Sequence, residues 1–212
     1  MHLNQYIDHT NLKPTATAKD ITTLCKEAIE HDFFAVCVNG CYVSTAQEIL
    51  KGSRVKTAAV VGFPLGAMST AAKVAEAQDC IKNGADEIDM VINIGWLKSG
   101  ELKEVHEEIQ TIKQAIGDHV LKVIIETCYL TDEEKENACR LAVDAKADFV
   151  KTSTGFGTGG ATLADVMLMK KVVGDKAKIK ASGGIKTKED ALKYIELGVS
   201  RIGTSSGPSL IQ

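Results

Sequence analysis

Three features of the 212-residue sequence predict an α/β protein that folds as a single (β/α)8 TIM barrel, one domain over residues 1–212. Short runs rich in β-branched residues alternate with longer amphipathic runs rich in Ala, Lys and Glu, at roughly 28 residues per repeat. No linker-like stretch divides the chain, which contains only three prolines. Many predicted strands also end in a polar, charged or glycine residue, which favours a barrel rim over the single switch point of an open doubly wound sheet.

Each element follows from its local pattern. Ser69, Thr131 and Thr187 stand where side-chain N-caps are expected, and Gly84 and Gly198 follow predicted helices just before strands. The β-branched and apolar runs predict strands at 5–8, 34–38, 56–61, 87–92, 121–125, 148–152, 178–181 and 201–204. The amphipathic runs predict helices at 18–31, 43–50, 69–83, 102–116, 132–145, 163–173 and 188–197.

Composition excludes several classes of protein. Hydrophobic residues make up 44% and charged residues 25%, which is typical of a globular domain and not of a disordered or fibrous chain. A net charge of −3 gives no basic field for nucleic acid or an anionic membrane. No apolar run approaches the roughly 20 residues of a membrane span, and the start of the chain does not read as a signal peptide. We therefore expect a cytoplasmic protein.

Cysteine and histidine spacing does not favour a metal site. The six cysteines are interpreted as free, mostly buried thiols, because a chain of this size needs no disulfides to stabilise its core. Cys37 and Cys41 have a spacing seen in some zinc sites, but no second Cys/His pair accompanies them. A GxSxG hydrolase motif is also absent from the sequence.

The segment GFGTGG at 155–160 matches the dinucleotide pattern GxGxxG between a predicted strand and a predicted helix. The next predicted strand has no acidic residue at its end for a ribose hydroxyl, and the motif lies late in the chain. We therefore favour phosphate binding by backbone N–H groups at a helix start. The alternative is that these glycines only provide positive φ angles.

Two more small-residue loops support a phosphate site. Residues 182–185 follow the seventh predicted strand, and residues 203–207 follow the eighth, where they also fit the start of a short terminal helix. Loops after the last strands of a barrel are a recurrent phosphate cradle. The three loops together predict a phosphorylated small-molecule ligand.

Lys151 and Lys180 lie at the ends of neighbouring predicted strands, whose axes are about 5 Å apart. If both face inward, like-charge repulsion of about 3 kcal/mol lowers the pKa of one lysine, and burial adds to this effect. A neutral amine can attack a carbonyl and form a Schiff base. The alternative is that both lysines bind phosphate or pair with carboxylates.

Asp89 lies inside the apolar fourth strand, and strand alternation places it on the same face as Glu87 and Val91. A buried carboxylate requires a partner, and a lysine is a suitable one. Asp89 is therefore a candidate proton donor and acceptor, with a structural ion pair as the alternative. Other residues expected at this rim are Asp8 and Thr10 from the first strand and Cys37 from the second.

The motifs as a set resemble those of the deoxyribose-phosphate aldolase family, which are class I aldolases with a (β/α)8 fold. The resemblance extends over nearly the whole chain, and its most specific parts are VKTSTGF at 150–156 and KASGGI at 180–185. The other matching segments are IDHTNLKP at 7–14, AVCVN at 35–39, VVGFPLG at 60–66, EIDMVINIG at 87–95, KVIIET at 122–127 and RIGTSSG at 201–207.

The resemblance implies cleavage of 2-deoxy-D-ribose 5-phosphate to glyceraldehyde 3-phosphate and acetaldehyde, without metal or organic cofactor. It implies that Lys151 forms the Schiff base, that Lys180 lowers the pKa of Lys151, and that Asp89 relays protons through a water. By the same resemblance, Asp8, Thr10 and Cys37 line the pocket, and Gly155, Gly183, Gly184, Gly203, Ser205 and Ser206 bind the phosphate.

The C-terminal sequence departs from the family pattern, and two alternative functions are compatible with the motifs. Some family members carry a C-terminal tyrosine proposed to assist proton transfer, whereas this chain ends SGPSLIQ. The family also implies a homodimer, although the sequence does not identify the contact faces. The alternatives are another Schiff-base aldolase or transaldolase, and a non-catalytic sugar-phosphate sensor, which would not need two opposed lysines.

Overall fold

The structure is a computed structural model that describes residues 2–212. Over this range eight parallel strands close into a barrel in which each strand pairs with the next and β8 pairs with β1. The predicted barrel is confirmed, and the open sheet is excluded. The strands are β1 Ile7–Asn11, β2 Ala35–Asn39, β3 Lys56–Val61, β4 Glu87–Val91, β5 Val120–Ile124, β6 Phe149–Lys151, β7 Lys178–Ser182 and β8 Arg201–Thr204.

The predicted first strand, 5–8, has the wrong bounds. Residues Leu3–Tyr6 form a 3-10 helix, and β1 begins at Ile7. Pairing with β2 and β8 decides where this strand lies, and local pattern alone carries no information about those partners. As a consequence Asp8 lies inside the barrel wall rather than at its rim. Cys37 is likewise in the middle of β2 and not at its end.

Helices connect the strands and cover the outside of the barrel. The predicted N-caps Ser69, Thr131 and Thr187 are confirmed, because each side-chain oxygen accepts a hydrogen bond from a backbone N–H in the first turn. Gly84 and Gly198 have positive φ angles after their helices, as expected. The first five helices are α1 Ala18–Glu30, α2 Val43–Leu50, α3 Thr70–Lys82, α4 Ile94–Lys98 and α5 Leu102–Ile116, and the others are α6 Asp132–Asp144, α7 Leu163–Val173, α8 Lys188–Glu196 and α9 Gly207–Ile211.

Two of these helices are short. The terminal helix α9 is the one anticipated after residues 203–207, whereas α4 was not predicted. Asn93 caps α4 by accepting a hydrogen bond from Trp96 N at 3.2 Å. With only five residues, α4 has too little periodicity to be recognised from sequence.

The apolar core lies between the strands and the helices. Outward-facing strand residues such as Ile88, Met90 and Val123 pack there. Inside the barrel a smaller apolar cluster contains Cys37 and Val60, and the remaining space on that side of the wall is occupied by charged side chains. The helices within residues 2–212 are all too short or too polar to cross a lipid bilayer.

Candidate active site

Charged side chains occupy a large part of the barrel interior. Alternation along a strand directs every second side chain inward, and on β1 and on β4 to β8 these inward positions include charged residues. We call them the barrel charge network, and all are buried. Its members are Asp8, Glu87, Asp89, Lys122, Lys151, Lys180 and Arg201.

The strand register places these charges side by side. Asp89 lies opposite Lys122 where β4 pairs with β5, and Lys151 lies opposite Lys180 where β6 pairs with β7. Lys180 is in turn opposite Arg201 of β8. The expectation that Lys151 and Lys180 lie on adjacent strands and face inward is therefore confirmed.

The Asp89 carboxylate accepts hydrogen bonds from both Lys151 and Lys180. Lys151 Nζ donates to Asp89 Oδ2 at 2.9 Å, and Lys180 Nζ donates to the same oxygen at 2.8 Å. Lys180 also donates to Asp8 Oδ2 at 2.5 Å. Lys180 therefore contacts two carboxylates, whereas the ion pair of Lys151 within residues 2–212 is with Asp89.

Lys122 and Arg201 contact the other oxygens of the Asp89 and Asp8 carboxylates. Lys122 Nζ lies 2.6 Å from Asp89 Oδ1 and 2.6 Å from Glu87 Oε2. Arg201 Nε donates to Asp8 Oδ1 at 2.7 Å, and Arg201 Nη2 donates to Glu87. Each carboxylate of the network therefore has at least two cationic donors, and its orientation is fixed.

The pKa values of the two lysines move in opposite directions. Burial lowers the pKa of Lys151, and the charge of Lys180 lowers it further, against the opposing effect of Asp89. Burial also acts to lower the pKa of Lys180, but Asp8 and Asp89 outweigh it and raise that pKa above the ordinary lysine value. Lys151 is thus the amine that deprotonates more easily. The sequence predicts like-charge repulsion as the main cause, whereas burial is the larger cause.

The carboxylates remain ionised for the complementary reason. Burial alone would raise the pKa of Asp89, but the charges of Lys122, Lys151 and Lys180 hold it well below its usual range. Asp8 follows the same pattern, since Arg201 and Lys180 outweigh its burial and lower its pKa. The expectation that Asp89 has a lysine partner is confirmed, with three partners instead of one.

The charge balance of the network depends on Lys151. Counted over the seven residues defined above, three carboxylates face four cationic side chains when every group is ionised. Loss of the Lys151 proton removes this excess positive charge. Because an unbalanced buried charge is costly, the network favours a neutral amine at Lys151.

Above the network a cavity of about 540 Å³ opens at the carboxyl ends of the strands. Lys151 is exposed to it from below, while Asp8, Cys37, Asp89 and Lys180 are buried beneath the cavity floor. The predicted site residues that line the cavity are Thr10, Lys151, Gly155, Gly183, Gly184, Gly203 and Ser205. Ser206 is not on its wall, and its backbone N–H donates to Thr204 Oγ1 at 3.0 Å.

Glycines form the cavity wall next to Lys151. Gly155, Gly183 and Gly184 have φ angles of 84°, 88° and 81°. Within residues 155–160 the alternative of a purely conformational role therefore holds for Gly155, whereas Gly157, Gly159 and Gly160 do not have positive φ angles. A Cβ at Gly160 would lie 2.2 Å from Gly183 O, which shows how closely these two loops approach. Larger side chains would close the space that a ligand needs.

Residues 155–160 do not open the following helix. That helix, α7, starts at Leu163, and Thr162 caps it by accepting a hydrogen bond from Asp165 N at 3.0 Å. The prediction that the Gly155 N–H lies at a helix start is therefore wrong. Its N–H group belongs to a loop that precedes the helix by several residues.

The cysteines do not form a paired site. All six are free, and Cys25, Cys37, Cys80 and Cys139 are buried, as expected. Cys37 is inside β2 whereas Cys41 is exposed, so the two do not converge on a metal ion. Within residues 2–212 no three His, Cys, Asp or Glu side chains are grouped as metal ligands.

Sequence reasoning missed Lys122 and Arg201 as members of the network. Both are charged residues inside apolar strands, in LKVII and SRIGT, which is the same signal that identified Asp89. It also gave no role to Glu126, whose φ of 55° is unusual for a non-glycine residue. The Glu126 carboxylate accepts hydrogen bonds from Thr154 N, at 3.1 Å, and from the Thr154 hydroxyl, and so fixes the start of the loop at Gly155.

The fold and the site together define a closed (β/α)8 barrel with two lysine amines and a carboxylate in contact beneath a cavity at the carboxyl ends of its strands. The profile of the DeoC/LacD family aldolases matches residues 3–209. The chain therefore belongs to this aldolase family.

Individual relatives agree with this assignment. A deoxyribose-phosphate aldolase from Carboxydothermus hydrogenoformans is 60% identical over 212 residues, which cover 98% of this chain and 93% of the relative. The solved structure of QR15, an aldolase, has a TM-score of 0.95 and 42% identity, covering 99% of this chain and 94% of that chain. The tetrameric deoxyribose phosphate aldolase from Aeropyrum pernix has a TM-score of 0.90 and 31% identity, covering 99% and 89% of the two chains.

Replacing Lys122 tests the role of the network in stability. Lys122→Met leaves Glu87 and Asp89 short of a buried cation and should lower the free energy of unfolding at pH 7 by about 3–5 kcal/mol. The lowered pKa of Asp89 contributes stability above its unfolded value of about 3.9, and this contribution is lost as the pH falls. The difference in free energy of unfolding between the wild-type protein and the variant, measured by urea unfolding, should therefore become smaller below about pH 4.

The matched control is Lys56→Met, which breaks a half-exposed ion pair of 3.0 Å with Asp86. This change should cost less than about 1 kcal/mol. A deficit for Lys122→Met that is no larger than the control, or that does not depend on pH, contradicts the stabilising role of the network.

Proposed function

We propose that the protein reversibly cleaves 2-deoxy-D-ribose 5-phosphate to D-glyceraldehyde 3-phosphate and acetaldehyde by Schiff-base catalysis. The observation that carries this proposal is the placement of Lys151: a buried amine with a lowered pKa, exposed only to the cavity and hydrogen-bonded to Asp89. Membership of the DeoC/LacD aldolase family supports the reaction class, and relatives named deoxyribose-phosphate aldolase support the substrate.

In the first step the neutral Lys151 amine attacks the C1 aldehyde of the open-chain sugar. The carbinolamine that forms loses its hydroxyl group as water, which needs one proton, and leaves a protonated imine on Nζ. Asp89, 2.9 Å from Nζ, pairs with this cation. Lys180, held between Asp8 and Asp89, remains charged and acts on Lys151 as a nearby positive field.

In the second step the C3 hydroxyl loses its proton and the C2–C3 bond breaks. Its electron pair moves into the iminium, giving an enamine on Lys151 and releasing glyceraldehyde 3-phosphate. Protonation at C2 and hydrolysis by water then release acetaldehyde and regenerate the amine. Because the iminium accepts the electron pair, the reaction needs neither a metal nor an organic cofactor.

We assign the proton transfers to Asp89 acting through a water. Its position between Lys151 and Lys180 supports this assignment, because the carboxylate lies within hydrogen-bond distance of the amine at which the reaction takes place. Thr10 lines the wall on the β1 side, where its Oγ1 donates to Asp8 O at 2.8 Å, and Asp8 lies beneath the cavity floor. Cys37 of β2 is buried beneath the floor of the pocket.

We assign the phosphate group to the part of the cavity that is lined by the end of β8 and the loops after β6, β7 and β8. Gly155, Gly183, Gly184, Gly203 and Ser205 line this part, and Ser206 follows directly. Backbone N–H groups and hydroxyls bind phosphate well where positive φ angles leave them open. Lys186, exposed on the same wall, adds positive charge. A sugar-phosphate sensor would use these loops without the lysines, so the amine chemistry separates the two functions.

The remaining proposals concern the protein as a whole. We propose a single-domain cytoplasmic enzyme, since one barrel uses strands from Ile7 to Thr204. We also propose a homodimer, supported by exposed apolar side chains such as Leu65; the relative from Aeropyrum pernix assembles further, as a tetramer. Sedimentation equilibrium should give twice the chain mass of 22.7 kDa, and a monomer at micromolar concentration would contradict the dimer.

Borohydride trapping tests the nucleophile. Incubation with acetaldehyde and sodium borohydride should add one ethyl group at Lys151, located by peptide mass spectrometry, because reduction makes the imine permanent. Lys151→Leu should abolish both trapping and turnover while leaving the circular dichroism spectrum unchanged.

The control is Lys178→Leu, an exposed lysine at the start of β7, which should still be trapped. Modification at another lysine, or turnover by Lys151→Leu, is incompatible with the assignment. A wild-type protein that binds the sugar phosphate without being trapped would indicate a sensor.

Replacing Lys180 tests its electrostatic effect on Lys151. Lys180→Leu removes the nearby positive charge but leaves the attraction of Asp89, so the pKa of Lys151 should rise. The neutral amine then predominates only at higher pH, and activity should fall most near pH 7 and recover partly as the pH increases. The pH profile of kcat/KM measures this shift. An equal loss at every pH would show that Lys180 acts in another way.

A further inference from the structure

His9 is a buried residue of β1 that the proposed mechanism does not use. It follows Asp8, and alternation along the strand turns His9 to the outer side of the barrel wall while Asp8 faces inward. In the strand pairing His9 lies opposite Thr204, the last residue of β8. It is only 2% exposed. A polar ring buried at this position requires a structural or functional reason.

The ring of His9 is fixed on two sides. Nε2 lies 2.7 Å from Glu27 Oε2 of α1, a hydrogen bond that orients the imidazole. The ring also meets Phe33 edge to face, with 5.4 Å between the ring centroids. The other nitrogen, Nδ1, is buried and has no hydrogen-bond partner within residues 2–212.

The free edge of the ring faces the start of α9. A Cβ placed on Gly207 would lie 2.9 Å from His9 Nδ1 and 2.8 Å from a ring carbon of Phe33. The backbone of Gly207 therefore rests against a wall built from these two rings. Gly207 directly follows Ser205 and Ser206, so the wall determines where this loop runs past the cavity.

We propose that His9 is a positioning residue for phosphate recognition, acting through Gly207 on the loop that contains Ser205 and Ser206. This inference rests on the proposed function, because it assumes that the loop receives the 5-phosphate. The expected consequence is selectivity: His9 contributes to the preference for the phosphorylated sugar over 2-deoxyribose.

The separation between His9 and the amine chemistry makes this selectivity measurable. Lys151, Lys180 and Asp89 contact one another inside the barrel, whereas the His9 side chain lies between Glu27 of α1 and Gly207 of α9, at the edge of the cavity. Displacement of the loop alters hydrogen bonds to the phosphate without moving Lys151. Small displacements of positioning groups are enough to lower the catalytic rate by an order of magnitude or more.

Steady-state kinetics with 2-deoxyribose 5-phosphate and 2-deoxyribose tests the proposal. His9→Ala should raise KM for the phosphorylated sugar about tenfold, or about 1.4 kcal/mol, with kcat nearly unchanged. The value of kcat/KM for 2-deoxyribose should stay within about twofold. His9→Gln retains a donor for Glu27 but lacks the ring, so it should shift KM in the same direction and serves if His9→Ala does not fold.

Gly207→Ala probes the same contact from the other side. Its added methyl group meets His9 and Phe33, so it should also raise KM selectively for the phosphorylated sugar. In the His9→Ala background the methyl group gains room, and its effect on KM should shrink. Such coupling is the signature of direct contact between the two positions.

His31→Ala is the matched control, because His31 also packs against Phe33, with 5.5 Å between ring centroids, but is not among the nearest neighbours of Gly207. It should leave both KM values unchanged. An equal loss on the two sugars, a loss in kcat alone, or no change in KM for His9→Ala and His9→Gln would overturn the positioning role. A wild-type enzyme that cleaves neither sugar would overturn the proposed function and this inference together.

Discussion

The hydrogen bonds that converge on the Asp89 carboxylate constrain the rest of the site. Three lysine amines lie within 2.9 Å of its two oxygens, in an environment that is buried except where Lys151 meets the cavity. Such an arrangement is tolerated only if its charges nearly cancel, because an uncompensated buried charge costs several kcal/mol. Lys180 and Lys122 each have a second carboxylate, whereas Lys151 shares its one carboxylate with both of them. The group that can most easily lose its charge is therefore determined by the geometry of its neighbours.

The barrel makes this arrangement possible because it brings distant parts of the chain into register. Arg201 and Asp8 are separated by 193 residues, yet they meet because β8 pairs with β1. Parallel strands with matched register place inward side chains in adjacent positions, so charges on β4 to β8 form a continuous set of ion pairs. The apolar layer between strands and helices supplies the burial that gives these pairs their effect on pKa.

This division between local and long-range information explains what the sequence could predict. The alternation of strands and helices, the caps at Ser69 and Thr187, and the inward positions of Lys151 and Lys180 depend on residues close together in the chain, and all were predictable. The start of β1 and the contacts of Arg201 depend on closure of the barrel, which local patterns do not encode. The cause of the low pKa at Lys151 was also ranked incorrectly, because the sequence shows neighbouring charges but not the depth of burial.

Burial and the Asp89 charge act on Lys151 in opposite directions, and the proposed chemistry needs both effects. Burial alone would favour the neutral amine but would equally disfavour the protonated imine, which must keep its positive charge to accept the electron pair of the C2–C3 bond. Asp89 alone would stabilise the iminium but would also hold the free lysine in its unreactive ammonium form. Lys180 resolves this conflict. Its positive charge balances much of the negative charge of Asp89 while Lys151 has no substrate attached. The net effect is an amine that loses its proton more easily before the reaction and a cation that remains paired during it.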